Sequence, residues 1–499
     1  MNSTLPLELY TGQQVKHGEQ QAAKLAGVEM YTLMLRAGQA TYQVMKDKFP
    51  HAKRIVIMVG TGNNGGDGFI VAKLAKSDGL DVSLYLFGDE AKVSGDAAKA
   101  KQEWMECGGD IQSFDSLNWS KTSADVLIDG LLGTGLTGEV RKPLQDLIAK
   151  VNDSQVPVVA IDTPSGLCTD SGQILGNAII AKHTVTFIGV KQGLTTGQAR
   201  AYTGELHYAG LGVENEFRQC VVASSQFIDK EQFRLAMPPR IATAHKGYNG
   251  RLLCLGGNQG YAGAIRLCAT SGARSGAGLI RTLCHPSSAL PLQVACPEVM
   301  TLGWSGEADV LKEGLEFADV IAMGPGLGTD NWAQDIFLAA CRVEKPKVVD
   351  ADGLNLLAQQ PYVDSLRIIT PHPGEAARLL GRSVIDIEQD RFQAVRNLHK
   401  KYGGIIVLKG AGTLIFDGDE ISVCQAGNAG MATGGMGDVL TGILAALIAQ
   451  GMSLSNAAKF GVLLHSVAAD QIAMREGQVG MLASDVIDEV RTVHNLWLA

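Results

Sequence analysis

Several features that would place a chain in a special class are missing from this sequence. None of its nine cysteines forms a Cys-x-x-Cys pair, and an odd number of thiols without that spacing argues against a disulfide framework and a zinc site. The longest apolar run is well short of a membrane span, and the first residues show no basic region followed by an apolar one. These absences predict a cytoplasmic protein with reduced thiols and no membrane partner.

Basic charge is scarce as well. Lys and Arg number 43 against 51 Asp and Glu, which gives a formal net charge of -8. Because a surface of this sign does not attract polyanions, nucleic acid is not an expected partner. What the sequence has in plenty is glycine, with 60 residues that fall mainly where apolar runs end, as tight turns after strands require.

The length of 499 residues is too great for one ordinary core, so at least two domains are expected. Short apolar runs alternate with helical spacing in both halves, which is typical of parallel sheets covered on both faces. The pattern weakens between 214 and 247 and then restarts. We therefore predict two three-layer α/β/α domains, 1–225 and 226–499. The predicted strands are 54–59, 82–87, 124–128, 157–161, 184–188, 251–255, 320–323, 347–349, 367–369 and 404–408.

In the first half, three polar, glycine-rich loops follow predicted strands, at 60–68, 129–135 and 162–166. Loops at the carboxyl ends of parallel strands converge on one pocket. The first fits Gly-x-Gly-x-x-Gly, and Asp89 follows the next strand, as in a dinucleotide-binding dehydrogenase. Alternatively, oxygen atoms of Asn64, Asp129 and Ser165 could gather a hard cation. Polar turns with capping side chains are the third interpretation.

In the second half, the stretch 432–442 organises the rest. Gly434, Gly435 and Gly437 precede Asp438, and an apolar run with helical spacing follows. Backbone amides at a glycine-rich helix start bind anions, and a neighbouring aspartate could accept a proton from a hydroxyl during phosphoryl transfer. The alternative is a glycine-rich turn in which Asp438 is the N-cap.

Other loops of the second half carry further candidates. Residues 409–413 form a predicted hairpin turn that could also cradle a nucleotide phosphate. His372 and Glu375 follow a buried strand, in the zone where ligands bind, although a histidine between prolines could simply shape the loop. Asp350 and Asp352 are expected to divide into one structural residue and one that faces the site. The remaining histidines and all nine cysteines are assigned to structure because none has ligand spacing.

These motifs resemble a known pairing of families. Residues 62–68 with 162–166 resemble the NAD(P)HX epimerases, which have a Rossmann-like fold. The segments 261–264, 324–328, 370–375, 409–413 and 434–438 resemble the ribokinase-like NAD(P)HX dehydratases. The fusion in this order is similar to the bacterial bifunctional repair enzymes for hydrated nicotinamide nucleotides. The resemblance implies that the first domain interconverts the R and S hydrates and that the second dehydrates the S form while converting ADP to AMP and phosphate.

The resemblance also implies site residues. In the first domain, K⁺ would be bound by Asn64, Asp129 and Ser165, and Asp162 is the candidate acid/base group with Lys191 second. The hydrate pocket would be lined by Asn63, Asn64, Gly65, Gly66, Asp67, Gly133, Thr134, Gly135, Leu136, Thr137, Gly138, Glu139 and Asp162. In the second domain, the hydrate would contact Ala264, Gly326, His372 and the catalytic Asp438. The nucleotide would contact Lys409, Gly410, Ala411, Gly412, Thr413 and Gly437, together with Mg²⁺.

One departure from the ribokinase-like pattern matters. Related sugar kinases usually carry Asn-x-x-Glu near the magnesium, whereas this sequence has His372-x-x-Glu375, and a histidine suits a substrate contact better. Phosphorylation of the C6 hydroxyl would turn a poor leaving group into a good one, with Asp438 as the base. The expected partners are NADHX, NADPHX and ADP, and a homo-oligomer is expected.

Three rivals remain open on the sequence alone. A ribokinase-like small-molecule kinase with an appended ligand-binding domain would leave a stable phosphorylated product. A non-catalytic adaptor is the second, because similar amino-terminal domains occur in mRNA-decapping scaffolds. The acidic balance and the presence of Asp438 argue against it. A hydride-transfer dehydrogenase is the third.

Overall fold

The computed structural model describes residues 5–114, 123–136 and 138–499, which divide into two compact units, Met1–Gln226 and Phe227–Ala499. The division falls one residue from the predicted boundary. Both units alternate strands and helices, as the spacing of apolar runs predicts. Among the described residues, no helix combines the length and the apolar character that a membrane crossing requires.

The first unit is built on a parallel sheet of seven strands in the order β4-β3-β2-β5-β6-β7-β9, and β1 pairs with β8 and β10. Its strands are β1 (Glu8–Tyr10), β2 (Arg54–Val59), β3 (Asp81–Leu86), β4 (Gln112–Ser113), β5 (Val126–Gly130), β6 (Val158–Ile161), β7 (His183–Phe187), β8 (Val190–Lys191), β9 (Glu205–Ala209) and, at the boundary, β10 (Ser225–Phe227). Its helices are α1 (Gly12–Ala26), α2 (Met30–Lys48), α3 (Asn63–Ser77), α4 (Gly95–Glu106), α5 (Lys142–Asp153), α6 (Arg200–Thr203) and α7 (Glu214–Cys220).

Helices cover both faces of this sheet. Alternate residues of a strand point to opposite faces, so Ile55 and Ile57 pack in a core with α1 to α4, while Val56 and Met58 pack with the apolar side of α5. Because both faces are buried, β2 is an unbroken apolar run after Arg54. The unit is the predicted three-layer α/β/α sandwich.

The second unit has nine strands in the order β13-β12-β11-β14-β15-β16-β17-β18-β19. Neighbouring strands from β13 to β17 pair in parallel, whereas the β17–β18 and β18–β19 pairs are antiparallel. Its strands are β11 (Arg251–Leu255), β12 (Leu279–Cys284), β13 (Met300–Gly303), β14 (Val320–Met323), β15 (Lys347–Val349), β16 (Arg367–Ile369), β17 (Ile405–Leu408), β18 (Leu414–Phe416) and β19 (Ile421–Val423).

The helices of the second unit again lie on both faces. They are α8 (Phe233–Ala236), α9 (Ala262–Arg274), α10 (Pro286–Ala295), α11 (Ala308–Phe317), α12 (Asn331–Cys341), α13 (Ala351–Gln359), α14 (Pro373–Leu380), α15 (Val384–Gln389), α16 (Arg391–Tyr402), α17 (Met436–Ala449), α18 (Leu454–Glu476) and α19 (Ala483–Leu498). Leu252 and Cys254 of β11 share a core with α9 and α17 to α19. Leu253 instead points to the opposite face, where it meets Gly314 of α11.

Candidate active sites

A cavity of about 740 Å³ opens at the carboxyl edge of the first sheet. The loops after β2, β5 and β6 all contribute to its wall, as expected for a parallel sheet. Of the residues predicted to line it, the cavity wall includes Asn63, Asn64, Asp67, Gly133, Thr134, Gly135, Leu136, Glu139 and Asp162. Lys191, the second acid/base candidate, lines it as well. Gly138 does not line the cavity among the described residues, and Thr137 lies outside them. The three loops therefore converge on one pocket.

The prediction of a loop over 60–68 is wrong from residue 63 onward. Helix α3 begins at Asn63 and includes Gly65, Gly66 and Gly68. Close packing explains their presence in a helix. A Cβ on Gly65 would lie 2.0 Å from the Gly60 carbonyl oxygen, and one on Gly66 would lie 2.6 Å from Met34 Cε. These two glycines are absent from the cavity lining, and their contact with substrate stays a prediction. The first amides of α3 have no acceptor within the helix and lie at the cavity wall.

The three predicted cation ligands come together around Leu132. Asn64 Nδ2 donates to the Leu132 carbonyl oxygen at 2.9 Å, and the Leu132 amide donates to Ser165 Oγ at 2.9 Å. Ser165 donates to Asp129 twice, from Oγ to Oδ1 at 2.6 Å and from its amide to Oδ2 at 2.8 Å. Asn64, Asp129 and Ser165 thus belong to one hydrogen-bonded cluster with carboxylate and hydroxyl oxygens, which are ligands that a hard cation prefers.

Asp129 is the charged member of that cluster. Contrary to the prediction of a loop residue, it lies within β5 and is fully buried. Its carboxylate accepts hydrogen bonds from the neutral groups of Ser165 and Leu131, and burial raises its pKa to about 6 despite these bonds. A buried carboxylate that has only neutral donors fits a monovalent cation, which would supply the missing positive charge.

Asp162 is held by an ion pair with Lys191. Oδ1 accepts a short hydrogen bond from Lys191 Nζ and another from the Phe187 amide at 3.1 Å, while Oδ2 has no partner among the described residues. Lys191 is buried and also donates to the Phe187 carbonyl oxygen at 3.0 Å. Asp162 has a left-handed backbone with φ of 64°. This arrangement leaves one carboxylate oxygen of Asp162 directed to the cavity.

Two further carboxyl groups, those of Glu19 and Asp67, line the cavity. Asp67 was predicted only as a lining residue, and Glu19 was not predicted. Glu19 of α1 lines the cavity, and burial raises its pKa to about 7, with Lys191 opposing and Asp162 adding to the rise. Burial also raises the pKa of Asp67 well above its usual range, with Asp162 and Glu19 adding to the effect. Glu19 lies on a polar stretch of an amphipathic helix, so only its tertiary placement identifies it. The cavity therefore places two carboxyl groups of raised pKa beside the Asp162–Lys191 ion pair.

In the second unit, α17 begins within the glycine-rich stretch. Its N-cap is Gly435, whose φ of 92° suits glycine. Asp438 is the third helical residue, so the alternative that made it the N-cap is wrong. The first amides of this helix are free of internal acceptors, and Gly437 lies so near the charged groups that a Cβ there would be 3.0 Å from Asp350 Oδ2. The helix start therefore has the backbone of an anion site.

A lysine–aspartate pair adjoins that helix start. Lys409 Nζ lies 2.6 Å from Asp350 Oδ1, and Thr441 Oγ1 lies 3.1 Å from Asp350 Oδ2. Burial raises the pKa of Asp350, but the Lys409 ammonium outweighs it and the net pKa is lowered. Burial lowers the pKa of Lys409, but Asp350 and Glu375 outweigh it and the net pKa is raised. Both groups are consequently charged at neutral pH.

Asp438 has no hydrogen-bond or ion-pair partner among the described residues. Burial raises its pKa to about 7, and the negative charge of Asp350 adds to the rise while Lys409 opposes it. A carboxyl group that titrates near pH 7 is matched to general base catalysis. Asp352, the other aspartate after β15, accepts from the Gly328 amide at 2.8 Å and from Asn355. Asp350 therefore faces the charged site, and Asp352 holds a neighbouring loop.

His372 and Glu375 form a reciprocal cap at the start of α14. The Gly374 amide donates to His372 Nδ1 at 3.0 Å, and the His372 amide donates to Glu375 Oε2 at 2.8 Å. Burial lowers the pKa of His372 and Lys409 lowers it further, so the imidazole is neutral at pH 7. Glu375 Oε2 also lies 3.7 Å from Lys409 Nζ. The cap thus shapes the loop and places both residues beside the lysine.

Ala264 and Gly326 lie close together at the carboxyl edge of the second sheet, where Ala264 belongs to α9 after β11 and Gly326 follows β14. A Cβ on Gly326, whose φ is 57°, would lie 3.3 Å from Ala264 Cβ and 2.7 Å from Tyr261 Cβ. The loop 324–328 also packs on the residue after β15, because a Cβ on Gly324 would meet the Asp350 carbonyl oxygen. The ends of β11, β14 and β15 are therefore joined into one floor.

The predicted turn after β17 is a hairpin, since β17 and β18 pair as antiparallel strands with Leu408 opposite Leu414. Within it, Thr413 Oγ1 donates to the Gly410 carbonyl oxygen at 2.9 Å, and Gly412 has a φ of 64°. Lys409 points from this hairpin to Asp350. The interaction of Ala411 and its neighbours with a nucleotide stays a prediction.

Two residues of this region were not predicted. Thr441 follows Asp438 by one helical turn and bonds Asp350, which its place in an apolar helix does not reveal. His465 of α18 is buried, and its Nε2 has no partner among the described residues. Burial, followed by the charge of Lys409, lowers the pKa of His465 to about 4.

Comparison with known proteins agrees with this geometry. Residues 252–492 match the NAD(P)H-hydrate dehydratase family, and residues 30–193 match the family described as YjeF-related protein N-terminus. Among solved structures, the ADP/ATP-dependent NAD(P)H-hydrate dehydratase of Bacillus subtilis, co-crystallised with ATP and Mg²⁺, shares 27% identity with a TM-score of 0.50, covering 54% of this chain and 98% of that one. A ribokinase-like superfamily protein of Enterococcus faecalis shares 31% identity with a TM-score of 0.51, over 54% of this chain and 95% of that one.

Relatives that span both units are also similar. The bifunctional NAD(P)H-hydrate repair enzyme of Escherichia coli is 43% identical over 493 residues, which cover 99% of this chain and 95% of the relative. That of Vibrio cholerae is 50% identical over 491 residues, covering 98% of this chain and 99% of the relative. The chain accordingly belongs to the family of bifunctional NAD(P)H-hydrate repair enzymes.

Proposed function

We propose that the first unit interconverts the R and S hydrates of NADH and NADPH, and that the second unit dehydrates the S form at the expense of ADP. The observation that carries this proposal is the start of α17, where the carboxyl of Asp438, which has no partner among the described residues, lies beside free helix amides and the Lys409–Asp350 pair. A base and an anion site side by side are what phosphoryl transfer from a nucleotide to a hydroxyl requires.

In the dehydration, Asp438 accepts the proton of the C6 hydroxyl as its oxygen attacks the β-phosphorus of ADP, and AMP leaves. The amides around Gly437 and the Lys409 ammonium hold the negative charge that develops on the phosphoryl oxygens. The lone pair of the ring nitrogen then expels phosphate from C6, and loss of a proton from C5 forms the double bond of the dihydronicotinamide. The sum is hydrate plus ADP giving NAD(P)H, AMP and phosphate.

The hydrate would lie against Ala264, Gly326 and His372, which border the same sheet edge, and the nucleotide would lie along residues 409–413. The Bacillus relative was crystallised with ATP and Mg²⁺. A Mg²⁺ ion here would be held chiefly by nucleotide phosphates and water, because Asp350 and Glu375 already accept hydrogen bonds from protein groups. When bound, the ion would neutralise phosphate charge.

In the epimerisation, the reacting carbon C6 bears both a hydroxyl and the ring nitrogen. Inversion there requires proton transfer at the hydroxyl oxygen, whether the carbon–oxygen bond or the ring bond opens. Asp162 offers its free Oδ2 for that proton, while Lys191 fixes its orientation. Glu19, whose pKa is about 7, is a second group on the cavity wall that can hold a proton.

The remaining parts of the cavity fit a dinucleotide. The free amides at the start of α3, beside Asn63, would bind a phosphate, and K⁺ would be held by Asn64, Asp129 and Ser165. The ion would balance the buried charge of Asp129. It would also stiffen the loop at Gly133, which packs against Asn64 so closely that a Cβ on Gly133 would lie 3.2 Å from Asn64 Cβ.

The deciding experiment is recovery of reduced-nicotinamide absorbance from a mixture of R and S hydrates with ADP, with ATP and with neither. Full recovery with ADP is expected, because epimerisation feeds the R form to the dehydratase. Rapid recovery of only half would contradict the epimerase assignment. No recovery with either nucleotide would contradict the dehydratase assignment and favour a kinase that leaves a stable phosphorylated product.

A further inference from the structure

Three side chains with metal-binding chemistry meet at the amino ends of β7 and β9, away from the strand ends that carry the first cavity. His183 is the first residue of β7, Glu205 is the first of β9, and His207 follows two residues later. The strands are parallel with His183 opposite Glu205, and residues two apart in a strand share a face. Strand pairing therefore places all three on one face, which their spacing in the sequence does not reveal.

The distances within this cluster suit a tetrahedral ion. His183 Nδ1 lies 3.1 Å from His207 Nε2. Glu205 reaches both rings, with Oε2 at 3.4 Å from His183 Nδ1 and Oε1 at 3.8 Å from His207 Nε2. Two imidazole nitrogens bound to one zinc ion at ~2.05 Å and a tetrahedral angle are about 3.3 Å apart. The observed separation is within a few tenths of an ångström of that value.

The two rings are also in the form that binds metals. Burial lowers the pKa of His183 to about 4, and the neighbouring His207 lowers it further. Burial likewise lowers the pKa of His207. Both imidazoles are therefore neutral at pH 7, and a ring nitrogen without a proton is a ligand.

We propose that His183, Glu205 and His207 form a zinc site whose fourth position is left to water. Two imidazole nitrogens and one carboxylate oxygen are a ligand set that zinc favours, whereas Mg²⁺ and Ca²⁺ favour oxygen ligands alone. In the absence of metal, the same geometry is a hydrogen bond in which one ring nitrogen donates to the other.

Two lysines oppose the ion: Lys182 places a positive charge near His183, and Lys48 contacts Glu205 directly. Lys48 Nζ lies 2.7 and 2.8 Å from the two carboxylate oxygens of Glu205. Because the side chain is 36% exposed, the ammonium can turn to water when Glu205 binds the ion. Phe49, the next residue, packs its ring edge against the His183 ring with centroids 5.5 Å apart, which fixes that ring in place. Removal of the Lys48 charge should therefore tighten binding.

A zinc ion here would tie the edge strand β9 to β7. The far end of β7 carries Phe187, whose backbone bonds Asp162 and Lys191. The ion would thus stabilise the strand that supports the proposed acid/base pair without touching the cavity. This inference does not depend on the proposed function of either unit.

The test is isothermal titration of Zn²⁺ into untagged, chelator-treated full-length protein at pH 7.5, with Mg²⁺ and Ca²⁺ as hard-ion comparisons. One equivalent of Zn²⁺ should bind the wild-type protein, and His183→Gln and His207→Gln should each weaken binding by at least about tenfold. His51→Gln, at an exposed position, is the matched control and should bind as the wild type does. Lys48→Met should bind several-fold more tightly.

Circular dichroism of each variant separates loss of a ligand from loss of the fold, and Glu205→Gln, at a half-exposed side chain, provides a third variant if a buried histidine proves essential for folding. Absence of a Zn²⁺ heat signal in the wild-type protein would overturn the proposal. Unchanged affinity in folded variants of both histidines would overturn it as well, since the zinc would then bind elsewhere.

Discussion

Lys409 and the buried Asp350 form an ion pair, with Nζ 2.6 Å from Oδ1, beside the first turn of α17. The pair engages one carboxylate of the site, whereas the other, that of Asp438, has no partner in the part of the chain that the structure describes. The two aspartates thereby acquire different roles from their surroundings: Asp350 stays ionised and orients the lysine, whereas Asp438 can exchange a proton near neutral pH.

The first prediction concerns that free carboxyl. Asp438→Asn removes the proton acceptor and should lower the rate of ADP-dependent dehydration by about 10²–10⁴-fold, while epimerisation is unchanged. The measurement is NADH formation from the S hydrate, with R-to-S conversion followed separately by chromatography. Asp335→Asn, at an exposed position of α12, is the control. Near-full dehydration in Asp438→Asn would refute the assignment of the base.

The second prediction is the pH dependence of dehydration. The carboxylate form of Asp438 is the active one, and its pKa is about 7, so kcat/KM should rise about tenfold per pH unit below 7 and level off above it. The slope should be absent from the residual activity of Asp438→Asn. An inflection near pH 4 instead would mean that the carboxyl is solvated in the working enzyme.

The third prediction is that epimerisation can be lost while dehydration is retained. Asp162→Asn should lower epimerisation by about 10²–10⁴-fold and leave dehydration of the S hydrate intact. Asparagine tolerates the left-handed backbone of this residue, so the substitution tests the carboxylate without straining the loop. With a hydrate mixture, NADH should form rapidly to half of the total and then only at the spontaneous rate. Loss of both activities would indicate misfolding.

The fourth prediction concerns Glu19. Glu19→Gln should slow epimerisation by about 10²-fold and remove an ionisation near pH 7 from its pH profile, because burial raises the pKa of this carboxyl to about 7. Glu29→Gln, at the exposed start of α2, should retain the wild-type profile. A Glu19→Gln enzyme with normal rate and profile would show that this carboxyl only lines the cavity.

The fifth prediction is stabilisation by potassium. The pKa of Asp129 is raised to about 6 in the folded state, so the fold binds the proton better than the unfolded chain does. Without a cation, this contribution is complete below about pH 4 and is lost as the pH rises through 6. K⁺ binds the ionised form, so replacing choline chloride with KCl should raise the Tm more at pH 7.5 than at pH 5.

Two variants complete the potassium test. Asp129→Asn and Ser165→Ala should each lose most of the K⁺-dependent increase in Tm, with far-UV circular dichroism as the check on folding. Equal increases with K⁺ and choline in the wild-type protein would show that ionic strength alone is responsible, and the cation site would be rejected.

Much of the fold could be predicted because parallel strands that are buried on both faces appear in the sequence as continuous apolar runs. The predicted bounds of β2, β11, β14, β15 and β16 agree with the structure residue for residue. The start of α3 could not be predicted, because three glycines in its first six residues normally indicate a turn. These helical positions are glycine because neighbouring atoms, such as the Gly60 carbonyl oxygen, leave no room for side chains.

The candidate sites divide in the same way. The placement of two aspartates could be anticipated. Asp162 directly follows a predicted strand, and Asp438 follows a glycine-rich stretch before a predicted helix. The placement of Glu19 could not be anticipated, because it lies far from the loops of the cavity in the sequence and reaches the cavity only through the packing of α1. The pairing of Lys409 with Asp350, 59 residues apart, likewise depends on strand order, because β15 and β17 lie on either side of β16.

The left-handed backbone of Asp162 sets function against stability. Its φ of 64° is unfavourable for a residue with a Cβ, at a cost of up to about 1–2 kcal/mol, and only glycine would be free of it. Asp162→Gly would thus relax the loop while removing the carboxylate. Lys191 opposes that gain, because without Asp162 its buried ammonium would lose its carboxylate partner, so the ion pair is what holds the left-handed backbone in place.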